Sequence, residues 1–243
     1  MASLSPSPSP TTAPRPADER AERRRRHETI GEVAAGVARE LQNPLYGISS
    51  AAQLLRFRVR DDPVVERNVG RILREVERMN RLVTELLDFG RPTPPRLTPG
   101  DPDAVWDTVL ENERGRLESK SLLVQRTRAE PPASCRIDAE LLAQAFRHVL
   151  VNAIDAAPDA SDLALASSVG PDGSWHCTLR NAGPPLAGEA QQRAFEIFYT
   201  TKAGGTGLGL ALCQRIIDGH GGSIALENAQ PDGVAATIDL PNG

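Results

Sequence analysis

An α+β molecule is what this sequence predicts, with a long helical hairpin first and an α/β sandwich after it. Three observations carry that expectation. Apolar residues recur at helical spacing from His27 to about Val59, and again from Val65 to Leu87. Asp61-Asp62-Pro63 interrupts the first run and opens the second. Beyond the proline-rich stretch Arg91 to Arg96, helical and strand-like segments interleave.

Composition narrows the function classes before any motif is read. The 243 residues are 40% hydrophobic and 25% charged, which suits one or two soluble domains with real cores. A net charge of −4 argues against general nucleic-acid binding. No apolar run approaches the roughly 18–20 residues that span a bilayer, and no signal core opens the chain, so a cytoplasmic location is expected. Cys135, Cys177 and Cys213 are scattered, with neither metal spacing nor a disulfide framework, which points to reduced thiols.

Residues 1–17 are Ser, Pro, Thr and Ala in the main and are expected to form a disordered tail. The charged run Asp18 to His27 reads as a solvated helix start rather than a nucleic-acid patch, given the acidic whole, with a docking surface for another protein as a further reading. The first apolar stripe carries Ile30, Val33, Val37, Leu41, Leu45, Ile48 and Leu55. The second carries Val65, Val69, Ile72, Val76, Met79, Val83, Leu86 and Leu87, and stops at Gly90. One hairpin has too little surface to cover both stripes, so either two copies form a four-helix bundle or the hairpin packs on the C-terminal domain.

The remainder predicts helices over Asp103 to Glu118, Asp138 to Ala157 and Leu208 to Asp218. Strands are expected over 122–126, 163–169, 175–179, 223–226 and 235–240. Between them lies Thr200-Thr201-Lys202-Ala203-Gly204-Gly205-Thr206-Gly207-Leu208-Gly209-Leu210. Closely spaced glycines can bring backbone near a ligand, and the helix that follows offers unpaired N–H groups and a partial positive charge. Such a stretch suits phosphates. It lacks Gly-Lys-Ser/Thr and the Rossmann spacing, so it is neither of those loops.

Five stretches in order complete the reading. They are Val37-Ala38-Arg39-Glu40-Leu41-Gln42-Asn43-Pro44-Leu45, then Phe146 to Ala156 with Asn152-Ala153-Ile154-Asp155-Ala156, and Asn181-Ala182-Gly183-Pro184-Pro185-Leu186. Phe195 to Lys202 and Gly205 to Leu210 follow. In this order the chain resembles the transmitter portion of bacterial two-component histidine kinases, with these stretches at the H, N, G1, F and G2 boxes. The resemblance implies a dimerisation and histidine-phosphotransfer hairpin at 18–92 and a GHKL-type ATP-binding domain at 93–243. It also implies ATP and Mg²⁺ as cofactors, a response regulator as partner, and a homodimer or a mixed dimer with an intact kinase.

By the same resemblance, Asn152 would ligate Mg²⁺ through its side-chain oxygen, a hard donor of the type magnesium takes. Lys202 and the amides of Gly205, Thr206, Gly207, Leu208 and Gly209 would hold the triphosphate. Gly183 lies in the G1 box, where Asn181 stands for the usual aspartate. Its amide oxygen can still accept a bond from the adenine amino group, without the charge. Pro185 replaces a glycine of that box and removes backbone freedom. His148, one helical turn before Asn152, either approaches phosphate or Mg²⁺-bound water or serves as a structural helix residue. His220 reads as structural. The lid between Leu186 and Gly205 is short.

The H box departs from the family where it matters most. The phospho-accepting histidine belongs immediately before Glu40, and this chain has Arg39 there. A guanidinium stays protonated and offers no lone pair for attack on the γ-phosphate. His27 stands twelve residues upstream, about 18 Å and about 120° away on a helix, and is a poor substitute. Glu40 would be the acid–base partner of the missing histidine, and Asn43 would orient the water that dephosphorylates a regulator. Pro44 would remove one helical hydrogen bond. Three functions follow as expectations: phosphoryl transfer to another chain, regulator dephosphorylation through Asn43, or a non-catalytic pseudokinase scaffold.

Overall fold

The computed structural model describes residues 16–59, 62–90, 94–202 and 205–242, with side chains at 16–35, 39 and 81 excepted. Most of the expected tail and residues 91–93 of the expected linker therefore lie outside the described residues.

Helix α1 spans Pro16–Arg58 with Pro44 inside it, and α2 spans Pro63–Gly90. Asp62 starts the second helix, its Oδ1 accepting from Val64 N at 2.8 Å and Val65 N at 3.3 Å, with Pro63 in the first turn. The two helices pack through Ala38, Leu45, Val76 and Val83, all buried, with Leu86 and Leu87 against them. The expected stripes are only half used. Val37, Ile48 and Leu55 remain 49%, 47% and 50% exposed.

Next come β1 (Thr98–Gly100), α3 (Pro102–Asn112), α4 (Arg114–Ser119), β2 (Leu123–Thr127) and β3 (Cys135–Ile137). They lead to α5 (Ala139–Ala156), β4 (Asp162–Val169), β5 (Trp175–Asn181), α6 (Gly188–Arg193) and α7 (Gly209–Gly219). Strands β6 (Ser223–Asn228) and β7 (Val234–Leu240) close the chain. The single helix expected over 103–118 is two helices, broken at Glu113. That carboxylate is drawn inward by Arg147 Nε at 2.7 Å and Arg116 Nε at 2.9 Å. Strands β1 and β3, which were not expected, pair antiparallel as a separate two-stranded sheet, and Cys135 of β3 also bridges to Asn242.

The main sheet runs β2-β4-β5-β7-β6, with β2 parallel to β4 and every other pair antiparallel. Strand β5 alternates strictly. Trp175, Cys177, Leu179 and Asn181 are buried, while His176, Thr178 and Arg180 are less so. Helices cover the buried face, where Trp106 of α3 stacks on Phe146 of α5 at 4.2 Å and Phe146 meets Trp175 at 5.8 Å.

Helix α5 is fixed at both ends. Asp138 Oδ1 accepts from Leu141 N at 3.2 Å, and Lys120 Nζ donates to the Ile154 and Ala157 carbonyls at 2.9 and 2.6 Å. His220, 4% exposed, accepts at Nε2 from Asp138 N at 3.0 Å and engages the Ile216 carbonyl through Nδ1 at 2.8 Å. It binds the start of α5 to the end of α7, which is a structural role. All three cysteines are free and buried, and burial raises each thiol, Cys177 to about 12. None is poised as a nucleophile.

Candidate functional site

The strict alternation of β5 ends in a polar residue. Asn181 occupies the last buried position, 4% exposed, and pairs across the sheet with Val234 of β7. Its Nδ2 donates to the Ala182 carbonyl at 2.8 Å, which leaves Oδ1 as the acceptor side of the amide. Leu179, Val234, Ala236 and Leu226 extend from it as an apolar floor. Asn181 and this floor line one wall of a cavity of about 950 Å³.

Helix α5 supplies a polar wall. His148, Asn152 and Asp155 recur at intervals of four and three, one helical face, and all line the cavity, while Ile154 packs in the core. Burial, and then the neighbouring Arg147, push the His148 imidazole down to about 4, so it is neutral at pH 7. A neutral ring can accept a hydrogen bond or ligate, and it brings no positive charge to a phosphate.

The loop between β5 and α7 closes the cavity. It includes α6, where Arg193 pairs with Glu189 and Glu196, both at 2.8 Å, and lies 4.4 Å from the Tyr199 ring centre. Lys202 then reaches α5. Its Nζ donates to Asn152 Oδ1 and Asp155 Oδ2, each at 2.8 Å. Gly207 turns the chain at φ +68, and its carbonyl accepts from Phe198 N at 3.0 Å. A Cβ there would sit 2.4 Å from the Phe198 carbonyl carbon, so only glycine fits. Gly183 has the same need at φ +138, with the Ala156 carbonyl oxygen 2.7 Å from a Cβ.

Of the residues expected to bind nucleotide, His148, Asn152, Asn181, Lys202, Gly205, Thr206, Gly207 and Gly209 line this one cavity. Gly183 and Leu208 support it from outside the lining, Leu208 being 1% exposed. Two of the expected amides are engaged within the loop: Gly205 N donates to the Lys202 carbonyl at 3.1 Å and Leu208 N to Thr206 Oγ1 at 3.3 Å. Glu40 and Asn43 stand exposed on α1, away from the cavity lining. Arg39 is on the same helix, and its side chain is outside the described ones.

Asp155, Arg78 and Glu85 are among the polar lining residues that sequence reasoning did not single out. Asp155 carried a readable signal, one helical turn after Asn152. Arg78 and Glu85 carried none, because they belong to α2 and enter only through docking of that helix. Thr206 donates its hydroxyl to the Glu85 carboxylate, and Arg215 of α7 donates to the Phe89 carbonyl and, at 2.8 Å, to that of Asp88. The Arg215 guanidinium also lies 4.8 Å from the Phe89 ring centre.

Comparison with known proteins agrees with this architecture. Residues 29–95 match the family model of the His Kinase A (phospho-acceptor) domain. Residues 137–243 match that of the histidine kinase-, DNA gyrase B- and HSP90-like ATPase. The chain belongs to the two-component histidine kinases, whose transmitter region it carries, with a GHKL-type ATP-binding domain.

Among its relatives is the signal transduction histidine-protein kinase AtoS of Escherichia coli strain K12, 30% identical over 241 residues, which are 95% of this chain and 38% of AtoS. The sensor histidine kinase ZraS of Klebsiella oxytoca is 33% identical over 214 residues, 87% of this chain and 46% of ZraS. The chain thus spans less than half the length of these relatives. Full-length ShkA, crystallised with AMPPNP, shares the fold at a TM-score of 0.71 and 24% identity, over 87% of this chain and 46% of ShkA. The mycobacterial sensor histidine kinase MprB superposes at 0.54 with 28% identity, over 60% of this chain and 97% of MprB. Among the described residues no helix is long and apolar enough to cross a membrane.

Proposed function

We propose that the chain binds Mg·ATP in this cavity and transfers the γ-phosphoryl group to a histidine supplied by another chain. The observation that carries the reading is the convergence of Lys202, Asn152 and Asp155 beside the glycine turn. The Lys202 ammonium already rests between two hard oxygens, so these residues suit a cation, and Asn152, with Asp155 beside it, would hold Mg²⁺. When bound, Mg²⁺ would offset the charge of the phosphate oxygens. Asn181 would accept from the adenine amino group over the apolar floor. Lys202, released from Asp155, would follow the γ-phosphate, and the turn at Gly207 would bring backbone close to the chain of phosphates.

Transfer breaks the bond between the γ-phosphorus and the β–γ bridging oxygen and forms a P–N bond to the acceptor imidazole. Arg39 supplies no such nitrogen, so the acceptor would come from an intact kinase in a mixed dimer. The exposed stripe of Val37, Ile48 and Leu55 supports a four-helix bundle, as a homodimer or with that partner. A response regulator is the onward partner in this reading.

The test is incubation with γ-labelled ATP, alone and with a co-purified intact kinase. Label should appear on the partner and not on this chain, and Arg39→His should gain acid-labile label. Label on the unaltered isolated chain, or on no protein in any mixture, rejects the reading. The exposure of Asn43 favours a second reading, regulator dephosphorylation, in which Asn43→Ala abolishes loss of phosphate from the regulator. A chain inert in both assays is a scaffold.

A further inference from the structure

We propose that Arg78 is a phosphate-binding residue lent to the nucleotide site by the bundle helix α2, so that triphosphate is held fully only while α2 is docked. The inference rests on the nucleotide reading of the cavity above.

Four cationic side chains line that cavity: Arg78, Arg116, Arg147 and Lys202. Three are anchored. Arg116 and Arg147 share the Glu113 carboxylate, whose side chain is 8% exposed, at 2.9 and 2.7 Å. Lys202 pairs with Asp155 at 2.8 Å. Arg78 differs. Among the described residues its ion pair is with Glu75, at 3.4 Å and with side chains 43% and 67% exposed, a geometry of little energetic weight. Its Nε is buried and has no hydrogen-bond partner, an arrangement that leaves a desolvated donor unsatisfied. A phosphate oxygen answers both conditions, because the planar guanidinium fork matches phosphate and a charged acceptor gives the stronger hydrogen bond.

The position of Arg78 ties this contact to the arrangement of the two domains. Arg78 and Glu85 are seven residues apart, two turns, and so share one face of α2. That face is held by Thr206 on the Glu85 carboxylate, and the helix end by Arg215 on the Asp88 and Phe89 carbonyls. If α2 leaves, Arg78 leaves with it. By linkage, a triphosphate that binds the docked state more tightly also strengthens docking.

The experiment is calorimetric titration of the full chain with Mg·ATP and with adenosine, for wild type, Arg78→Ala, Arg78→Lys and Arg215→Ala. Arg78→Ala should weaken ATP binding about tenfold, the scale of one charge-assisted hydrogen bond, and leave adenosine unchanged. Arg78→Lys should fall between. Arg215→Ala should weaken ATP selectively too, by loosening the helix that carries Arg78. Unchanged ATP affinity in Arg78→Ala overturns the proposal, as does an equal loss of ATP and adenosine, which marks a general structural effect. Wild-type protein that binds neither ligand overturns the nucleotide reading itself, and this inference with it.

Discussion

Lys202 crosses from the loop before the glycine turn to place its ammonium 2.8 Å from Asn152 Oδ1. Asp155 Oδ2 lies at the same distance from it. The oxygen proposed to hold Mg²⁺ thus has a cationic side chain as its partner, and the two cations would compete. Asn152→Ala should lower ATP affinity roughly tenfold to a hundredfold in excess Mg²⁺, the range of one bond to a charged group. In chelator the variant and the wild type should bind alike. Titration of a fluorescent ATP analogue in both buffers checks this, and an equal loss in chelator counts against a metal role for Asn152.

Gly207 should not tolerate a side chain. Gly207→Ala meets both a positive φ of +68 and the Phe198 backbone, 2.4 Å from the added carbon. Backbone strain of this kind costs about 1–3 kcal/mol. The thermal midpoint should fall, and nucleotide binding with it, because the turn must open to admit the methyl group. Denaturation followed by circular dichroism measures the first effect.

His148 should make the domain sensitive to mild acid. Its ring titrates near 4 when folded, lowered by burial and then by Arg147, against an unperturbed value of 6.5. Above about pH 6.5 both states are neutral and the group adds no pH dependence. Below that, the unfolded chain takes up its proton first, so stability is lost as pH falls towards 4, by about 2 kcal/mol at pH 5. His148→Asn should narrow the difference between denaturation midpoints at pH 7 and pH 5. An unchanged difference would assign the acid sensitivity to other groups.

Phe146 joins α3, α5 and the sheet through its contacts with Trp106 and Trp175. It is fully buried. Phe146→Ala should destabilise the domain by about 3–5 kcal/mol, as large core truncations do. Chemical denaturation of wild type and variant gives the difference directly.

How much of this was legible beforehand varied with the physics of each part. Helices α2, α5 and α7 announced themselves by period and by caps such as Asp62 and Asp138, which act within a few residues. Strands β1 and β3 are three residues each, too short for an alternation to register. The break between α3 and α4 depends on Glu113 meeting Arg147, which is 34 residues away, and no local propensity encodes that. Helix α6 is a short polar turn of the lid, held by Arg193 with Glu189 and Glu196.

The site divides in the same way. The sequence by itself determined the glycine turn and the helix face carrying His148 and Asn152, and it carries, as an expectation, the arginine where a histidine would accept phosphate. Those features arise from residue type, spacing along one helix, and the protonation chemistry of single side chains. Only the tertiary structure decided that Asn181 closes a buried row beside Val234, that Lys202 rests on α5, and that α2 lends Arg78 and Glu85 to the cavity. Each of these depends on segments tens of residues apart being brought together by burial of apolar surface. Burial of that kind is a property of the whole fold, and spacing along the chain does not express it.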